Sequence, residues 1–114
     1  MTTIYHNPRC SKSRQTLALL EEQGIKPTIV EYLETPPNES EINTLVSQLG
    51  ITPRELLRKG EDAYKDNNLK NPDLSDDDII AFMAKYPKLI ERPIVVKGKK
   101  AALGRPPENV LTIL

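Results

Sequence analysis

Residues 2–24 read TTIYHNPRCSKSRQTLALLEEQG, and this segment carries the main evidence for the fold class. The β-branched and aromatic residues 2–6 predict a strand that ends at the turn Asn7-Pro8. Apolar residues in a helical pattern over 11–23 then predict a helix, and Gly24 is the kind of residue that favours a helix end. Cys10 is therefore expected at a strand-to-helix junction.

The rest of the chain extends this unit into a mixed sheet. Residues 26–33 predict a second strand, residues 91–96 a third and residues 100–103 a fourth, with a turn at 97–99 joining the last two. A short helix is expected from Pro107 to Leu114. Only helical patterns separate the second and third strands. The sequence thus predicts an α/β fold with a mixed four-stranded sheet and a helical insertion.

The insertion has three helical regions. Residues 38–41 have the spacing of a capping box, and apolar residues at i, i+3, i+4 and i+7 continue to Gly50. Shorter helical pieces are expected between 52 and 68. Ser75, followed by three aspartates, begins another helix that Pro87 ends. We expect these aspartates to interact with the helix dipole rather than to bind a metal.

Composition limits the classes of function. The chain has 114 residues, 28% charged and 38% hydrophobic, which predicts one domain covering 1–114. Sixteen basic residues balance sixteen acidic ones, so neither nucleic acid nor a membrane surface is an expected partner. A signal peptide and a long apolar span are both lacking, and we expect a cytoplasmic location in which a lone cysteine stays reduced.

The only cysteine, Cys10, is the candidate nucleophile. A lone cysteine is commonly a small buried hydrophobe, but a thiol at a helix start faces backbone N–H groups that favour the thiolate and can hold an anion. Four basic side chains lie nearby, and each would lower the pKa of the thiol if it points inward: His6, Arg9, Lys12 and Arg14. The alternative is that they form a solvated basic helix start.

The loop also limits how a catalytic cycle could end. Its pattern is Cys10-Ser11-Lys12-Ser13, so the resolving cysteine of a CxxC pair is absent. Any reduction at Cys10 must therefore draw on an external thiol. His6, the only histidine, is expected either to donate a hydrogen bond to the thiolate or to be structural, and no metal site is expected because no second histidine or cysteine is present.

Five segments in order, IYHNPRCSKSRQTL, YLETPP, RELLRK, ERPIVV and GRPPE, resemble the arsenate reductase (ArsC) family of the glutaredoxin-coupled type. The CSKSR form of the loop is similar to the short YfgD-like branch. The resemblance implies a thioredoxin-like fold with a helical insert. It also implies that Cys10 attacks arsenate or a related oxyanion while Arg58, Arg92 and Arg105 bind it, which suits the fork geometry of guanidinium groups.

Further roles follow from the same resemblance. His6 and Ser13 would favour the thiolate, and Pro93 would follow a cis bond. Additional contacts to the anion are expected from the loop residues Ser11, Lys12 and Arg14. The implied function is an oxidoreductase of arsenic detoxification with no bound cofactor or metal, in which glutathione is the co-substrate and glutaredoxin the partner.

Two alternatives remain open. Established arsenate reductases tend to read CGTSR, and glycine allows a closer backbone approach to an anion than Ser11 does. Ser11 and Lys12 therefore leave room for a thiol oxidoreductase acting on another substrate, such as a glutathione mixed disulfide. A Spx-like transcription regulator that binds RNA polymerase is the other alternative, although the CxxC switch common in Spx proteins is absent.

Overall fold

The computed structural model describes residues 1–114, which divide into two compact units. The first unit combines residues 1–35 with residues 92–114, and the second comprises residues 36–91. A single domain over 1–114 stays a prediction. No helix combines the length and apolar character needed to cross a membrane.

The first unit is built on a four-stranded sheet with the order β2-β1-β3-β4. Its strands are β1 (Thr2–Tyr5), β2 (Thr28–Val30), β3 (Ile94–Lys97) and β4 (Lys100–Leu103), with helix α1 (Ser11–Glu22) between β1 and β2. β1 pairs in parallel with β2 and antiparallel with β3, and β3 pairs antiparallel with β4. The predicted mixed four-stranded sheet is confirmed.

The core of this unit lies between the sheet and the two helical segments. Ile4 and Val95, neighbours in the β1–β3 register, are fully buried with Leu20 of α1 and Val110 of a closing 3₁₀ helix, Pro107–Ile113. Leu17 and Leu19 of α1 pack against this cluster. Burial of these aliphatic side chains fixes α1 on the sheet and thereby fixes Cys10 at its start.

The second unit is helical. It contains α2 (Glu39–Leu49), α3 (Asp62–Asp66), α4 (Asp76–Lys85) and short 3₁₀ helices at Pro53–Leu56 and Pro87–Leu89. The predicted capping box is confirmed, since Asn38 accepts from the Glu41 N–H and Glu41 accepts from the Asn38 N–H. Ser75 caps α4 in the same way, and Gly50 ends α2 in the left-handed conformation.

One arginine organises the loop before α4. The Arg54 guanidinium donates to the carbonyl oxygen of Leu69 at 2.8 Å and also to that of Asn71. A longer bond of 3.5 Å reaches the Leu74 carbonyl. The Asn71 carbonyl also accepts from the Leu74 N–H at 3.3 Å. Arg54 therefore supplies a donor to the Leu69 and Leu74 carbonyls and adds a second donor to that of Asn71.

Several predicted bounds were too long. β2 ends at Val30 instead of 33 because the Glu31 carbonyl accepts from the Glu34 and Thr35 N–H groups and so forms a turn. β3 begins at Ile94 instead of 91, after Pro93, which has no N–H to offer a ladder. The last helix is of the 3₁₀ type throughout its length.

Candidate active site

Cys10 occupies the N-cap of α1, as the sequence predicts for a strand-to-helix junction. Its backbone is extended, its N–H donates to the Asn7 carbonyl at 3.0 Å, and its own carbonyl accepts the first helical bond from Arg14. The first turn of α1 contains no acidic residue. The thiol is only partly buried and remains accessible to a reactant.

The surroundings lower the pKa of the Cys10 thiol. Burial, the largest single influence, raises it. Hydrogen bonds from the Ser13 N–H, the Arg92 side chain and the Lys12 N–H, together with the positive charge of Arg92, outweigh the burial and leave the pKa below that of an ordinary cysteine. Each of these groups stabilises the thiolate, which is the nucleophilic form of the residue.

Ser13 and His6 form a buried polar pair beneath the loop. The His6 Nδ1 and the Ser13 Oγ lie 2.6 Å apart, and Ser13 Oγ also accepts from the Asn7 N–H at 3.0 Å. Burial is the main cause of the lowered pKa of His6, which favours the neutral ring. Ser13 reaches the thiol through its backbone N–H, while its hydroxyl holds His6 and Asn7.

The resemblance implies that His6 and Ser13 favour the thiolate, and in the structure the two residues make different contacts. The His6 ring bonds to Ser13, and its backbone N–H donates to the Val30 carbonyl at 2.8 Å, which ties the end of β1 to β2. His6 therefore acts on the loop through Ser13. Asn7, whose carbonyl and N–H both hold the loop, was not among the predicted site residues.

Arg92 lies just before β3 and Arg105 just after β4. The Arg92 side chain donates to Cys10, and its Nε is buried without a hydrogen-bond partner. Arg105 is exposed and donates from Nη1 to the Arg92 carbonyl at 3.3 Å. The bond between Arg92 and Pro93 is cis, as the resemblance implies. The bond between Arg105 and Pro106 is also cis, and this second cis bond was not predicted.

Gly104 brings these connections close to α1. Its N–H donates to the Pro93 carbonyl at 2.9 Å. A Cβ at this position would lie 2.7 Å from Pro93 Cγ, 3.0 Å from Thr16 Cγ2 and closer still to Thr16 Oγ1. Only glycine therefore fits between the cis-proline loop and the first turns of α1. The sequence offered GRPPE as a family segment but gave no sign of this contact.

Arg58, the third predicted arginine, belongs to the helical unit. Its Nη1 forms a salt bridge of 2.7 Å with Glu91 Oε1, and its N–H donates to the Leu89 carbonyl at 2.7 Å. The pair is partly exposed, and Arg58 Nε is buried without a hydrogen-bond partner. Glu91, which was not predicted as a site residue, thus orients one edge of the guanidinium group.

The remaining predicted residues line the loop side of α1. Ser11, Lys12 and Arg14 are exposed, and Lys12 contributes its backbone N–H to Cys10. Arg14 Nη1 donates to the Pro8 carbonyl at 2.9 Å and so fastens the turn from outside. No group of three or more His, Cys, Asp or Glu side chains is arranged to hold a metal ion.

Comparison with known proteins tests the resemblance to the ArsC family. The model of the ArsC family matches residues 5–113. YfgD of Escherichia coli K12 is 54% identical over 112 residues, covering 97% of this chain and 94% of its own. A protein of Haemophilus influenzae named arsenate reductase is 49% identical over 112 residues, covering 97% of each chain.

A solved structure described as arsenate reductase from Vibrio cholerae is 56% identical, with a TM-score of 0.97 and coverage of 99% of this chain and 97% of that one. The structure of a putative arsenate reductase from Yersinia pestis gives a TM-score of 0.94 at 57% identity, covering 98% and 99%. The sheet order, the cysteine at the start of α1 and these matches lead to one conclusion: the chain belongs to the ArsC family and has its thioredoxin-like α/β fold.

Proposed function

We propose that this protein reduces arsenate to arsenite through a covalent adduct on Cys10. The observation that carries the proposal is the stabilised thiolate at the start of α1, to which Arg92 and two backbone N–H groups donate. An oxyanion requires donors that are already oriented, and a helix start beside a guanidinium group provides them. The names of the relatives agree with this substrate.

In the proposed first step, the Cys10 thiolate attacks arsenic and forms a sulfur–arsenic bond. One arsenate oxygen leaves as water after accepting protons, so arsenic stays in its pentavalent state. Arg92 stabilises the thiolate before the attack and the added negative charge during it. Arg105 and Arg58 are the proposed additional ligands, and guanidinium groups can donate two parallel hydrogen bonds to neighbouring oxyanion oxygens.

The two electrons for reduction must come from external thiols, because the chain has a single cysteine. In our proposal the glutathione sulfur attacks arsenic in the adduct, forms a second sulfur–arsenic bond and displaces one oxygen as water. A glutaredoxin thiolate then attacks the glutathione sulfur, a sulfur–sulfur bond forms, and the electron pair of the broken glutathione–arsenic bond stays on arsenic, which becomes trivalent. Water then cleaves the remaining bond between Cys10 and arsenic. Arsenite and the Cys10 thiolate are released by water, so each arsenate consumes two thiols and yields one disulfide and one water.

The test has a binding arm and a turnover arm. Alkylation of Cys10 by iodoacetamide should be slowed by arsenate and by phosphate, which share the tetrahedral oxyanion geometry. Arsenate-dependent disulfide formation with glutathione and glutaredoxin should occur in the wild type and in Lys70→Ala, an exposed lysine of the helical unit, and should be lost in Cys10→Ser.

The same assay separates the proposal from its main rival. Turnover of a small glutathione mixed disulfide, with neither arsenate turnover nor protection by arsenate, would reject arsenate reduction and support the thiol oxidoreductase alternative. An unprotected thiol with no activity toward either substrate would reject both enzymes.

A further inference from the structure

The loop around Cys10 contains several positive side chains, and the proposed mechanism gives some of them no role. The chain as a whole has no net charge, yet its first twenty residues contain no Asp or Glu and include Arg9, Lys12 and Arg14. All three side chains are exposed. A local excess of cations attracts anions to the loop although the whole chain is neutral.

Several hydrogen bonds hold the loop that carries these cations. Asn7 Oδ1 accepts from the Arg9 N–H at 3.0 Å, and the Asn7 carbonyl accepts from the Cys10 N–H at 3.0 Å. One guanidinium nitrogen of Arg14 donates a hydrogen bond to the Pro8 carbonyl. Arg9 and Lys12 make no salt bridge within the chain, so their charges are available to an incoming molecule.

The backbones of Arg9 and Lys12 lie close to Cys10 along the chain. Arg9 adjoins Cys10, and Lys12 lies two residues into α1, which corresponds to about 3 Å along the helix axis. Carboxylates that belong to the same small molecule as a thiol lie within several bonds of its sulfur. Such a thiol can therefore contact this rim while its sulfur reaches an adduct on Cys10.

We propose that Arg9 and Lys12 form a cationic rim that recruits small thiols bearing carboxylates to the Cys10 adduct. The inference rests on the proposed function only in taking Cys10 as the reacting thiol that an external thiol must release. It assigns the two side chains to the reducing co-substrate, whereas Arg92 serves the thiolate itself. Charge at the rim then selects which thiols act as reductants.

The test uses a neutral adduct, so that the label does not occupy the rim. Cys10 is converted to its thiopyridine mixed disulfide with dithiodipyridine. An added thiolate attacks the Cys10 sulfur, forms a new disulfide and expels thiopyridone, which takes the electron pair and a proton and is followed by absorbance. Three thiols of similar size are compared: mercaptopropionate, mercaptoethanol and cysteamine, which are anionic, neutral and cationic.

Each thiol is its own reference, because the ratio of variant to wild-type rate cancels its intrinsic nucleophilicity. For Arg9→Ala combined with Lys12→Ala, we expect the rate with mercaptopropionate to fall about fivefold, from two exposed charge interactions. The rate with mercaptoethanol should stay constant and that with cysteamine should rise about twofold. At about 1 M salt these differences should vanish, since exposed charges are then screened.

Lys26→Ala is the matched control, because Lys26 is an exposed lysine of the same unit beyond the far end of α1. It should leave all three rates unchanged. Equal slowing with all three thiols in the double variant, or no change with any, would overturn the inference. A glutaredoxin is tested as a further reductant. If the double variant slows the reaction with the glutaredoxin but not with the three small thiols, the inference is also overturned and the rim is assigned to a protein partner. The assay contains no arsenate, so charge selection without arsenate turnover would reject the proposed function alone.

Discussion

Replacing Gly104 by alanine should destabilise the sheet unit strongly, although it adds only one methyl group. The new Cβ would lie 2.7 Å from Pro93 Cγ and would also overlap the Thr16 side chain. Neither neighbour moves easily, because Pro93 is a ring and Thr16 is fully buried with its hydroxyl donating to the Lys12 carbonyl at 2.8 Å. Either the backbone around residue 104 or helix α1 must therefore shift.

The magnitude follows from two opposing contributions. Overpacking of a filled interior costs typically 1–3 kcal/mol, and we take about 3 because both neighbours are fixed. Alanine also reduces the entropy of the unfolded chain, which returns about 0.7 kcal/mol. We expect the free energy of unfolding to fall by about 2 kcal/mol and the melting temperature by roughly 10 °C.

Urea unfolding of Gly104→Ala and Gly60→Ala measures this difference. Gly60 is the matched control because a Cβ there would meet no atom within 4 Å, so its replacement should be neutral or slightly stabilising. Introducing Thr16→Ala as well should recover part of the loss, since it removes one of the two obstacles. If Gly104→Ala is as stable as Gly60→Ala, the close approach of α1 to the cis-proline loop is wrong.

Three other perturbations test the site and its support. Arg92→Met should raise the pKa of Cys10, because it removes a hydrogen bond and a positive charge from the thiolate. The pH midpoint of iodoacetamide alkylation measures this pKa, and an unchanged midpoint would contradict the contact. Burial lowers the pKa of His6, so protonation favours the unfolded chain: its contribution to stability is complete above about pH 6.5 and is lost as the pH falls. The urea midpoint should then fall less between about pH 7.5 and pH 5 in His6→Gln than in the wild type. Arg54→Lys should cost about 1–3 kcal/mol of unfolding free energy, because one ammonium cannot serve three separate loop carbonyls, and a cost below that of Lys70→Ala would refute this.

The sequence predicted the parts of the fold that depend on local chemistry. Capping residues before α2 and α4 are recognisable from their spacing, and so is the alternation of strand and helix around Cys10. Strand ends were harder, because the turn after β2 uses the Glu31 carbonyl, which no residue pattern marks. That turn arises from backbone bonding and not from a characteristic Gly or Pro.

The candidate site was predictable in identity and less so in its contacts. Cys10 follows from its place in the chain, and Arg92 and Arg105 came from the family resemblance. That Ser13 would hold His6 and approach the thiol by its N–H depends on the rotation of α1, which periodicity does not give. The Gly104 contact joins residues distant in sequence and leaves no local trace.

The strand order β2-β1-β3-β4 also has a consequence for the order of events during synthesis. β1, α1 and β2 leave the ribosome early, but β1 gains its second neighbour only after the whole helical insertion has been made. Arg92 arrives with that late segment. The newborn chain thus holds Cys10 without the guanidinium that stabilises its thiolate, and this contribution to the lowered pKa of Cys10 is present only when the hairpin of β3 and β4 closes the sheet.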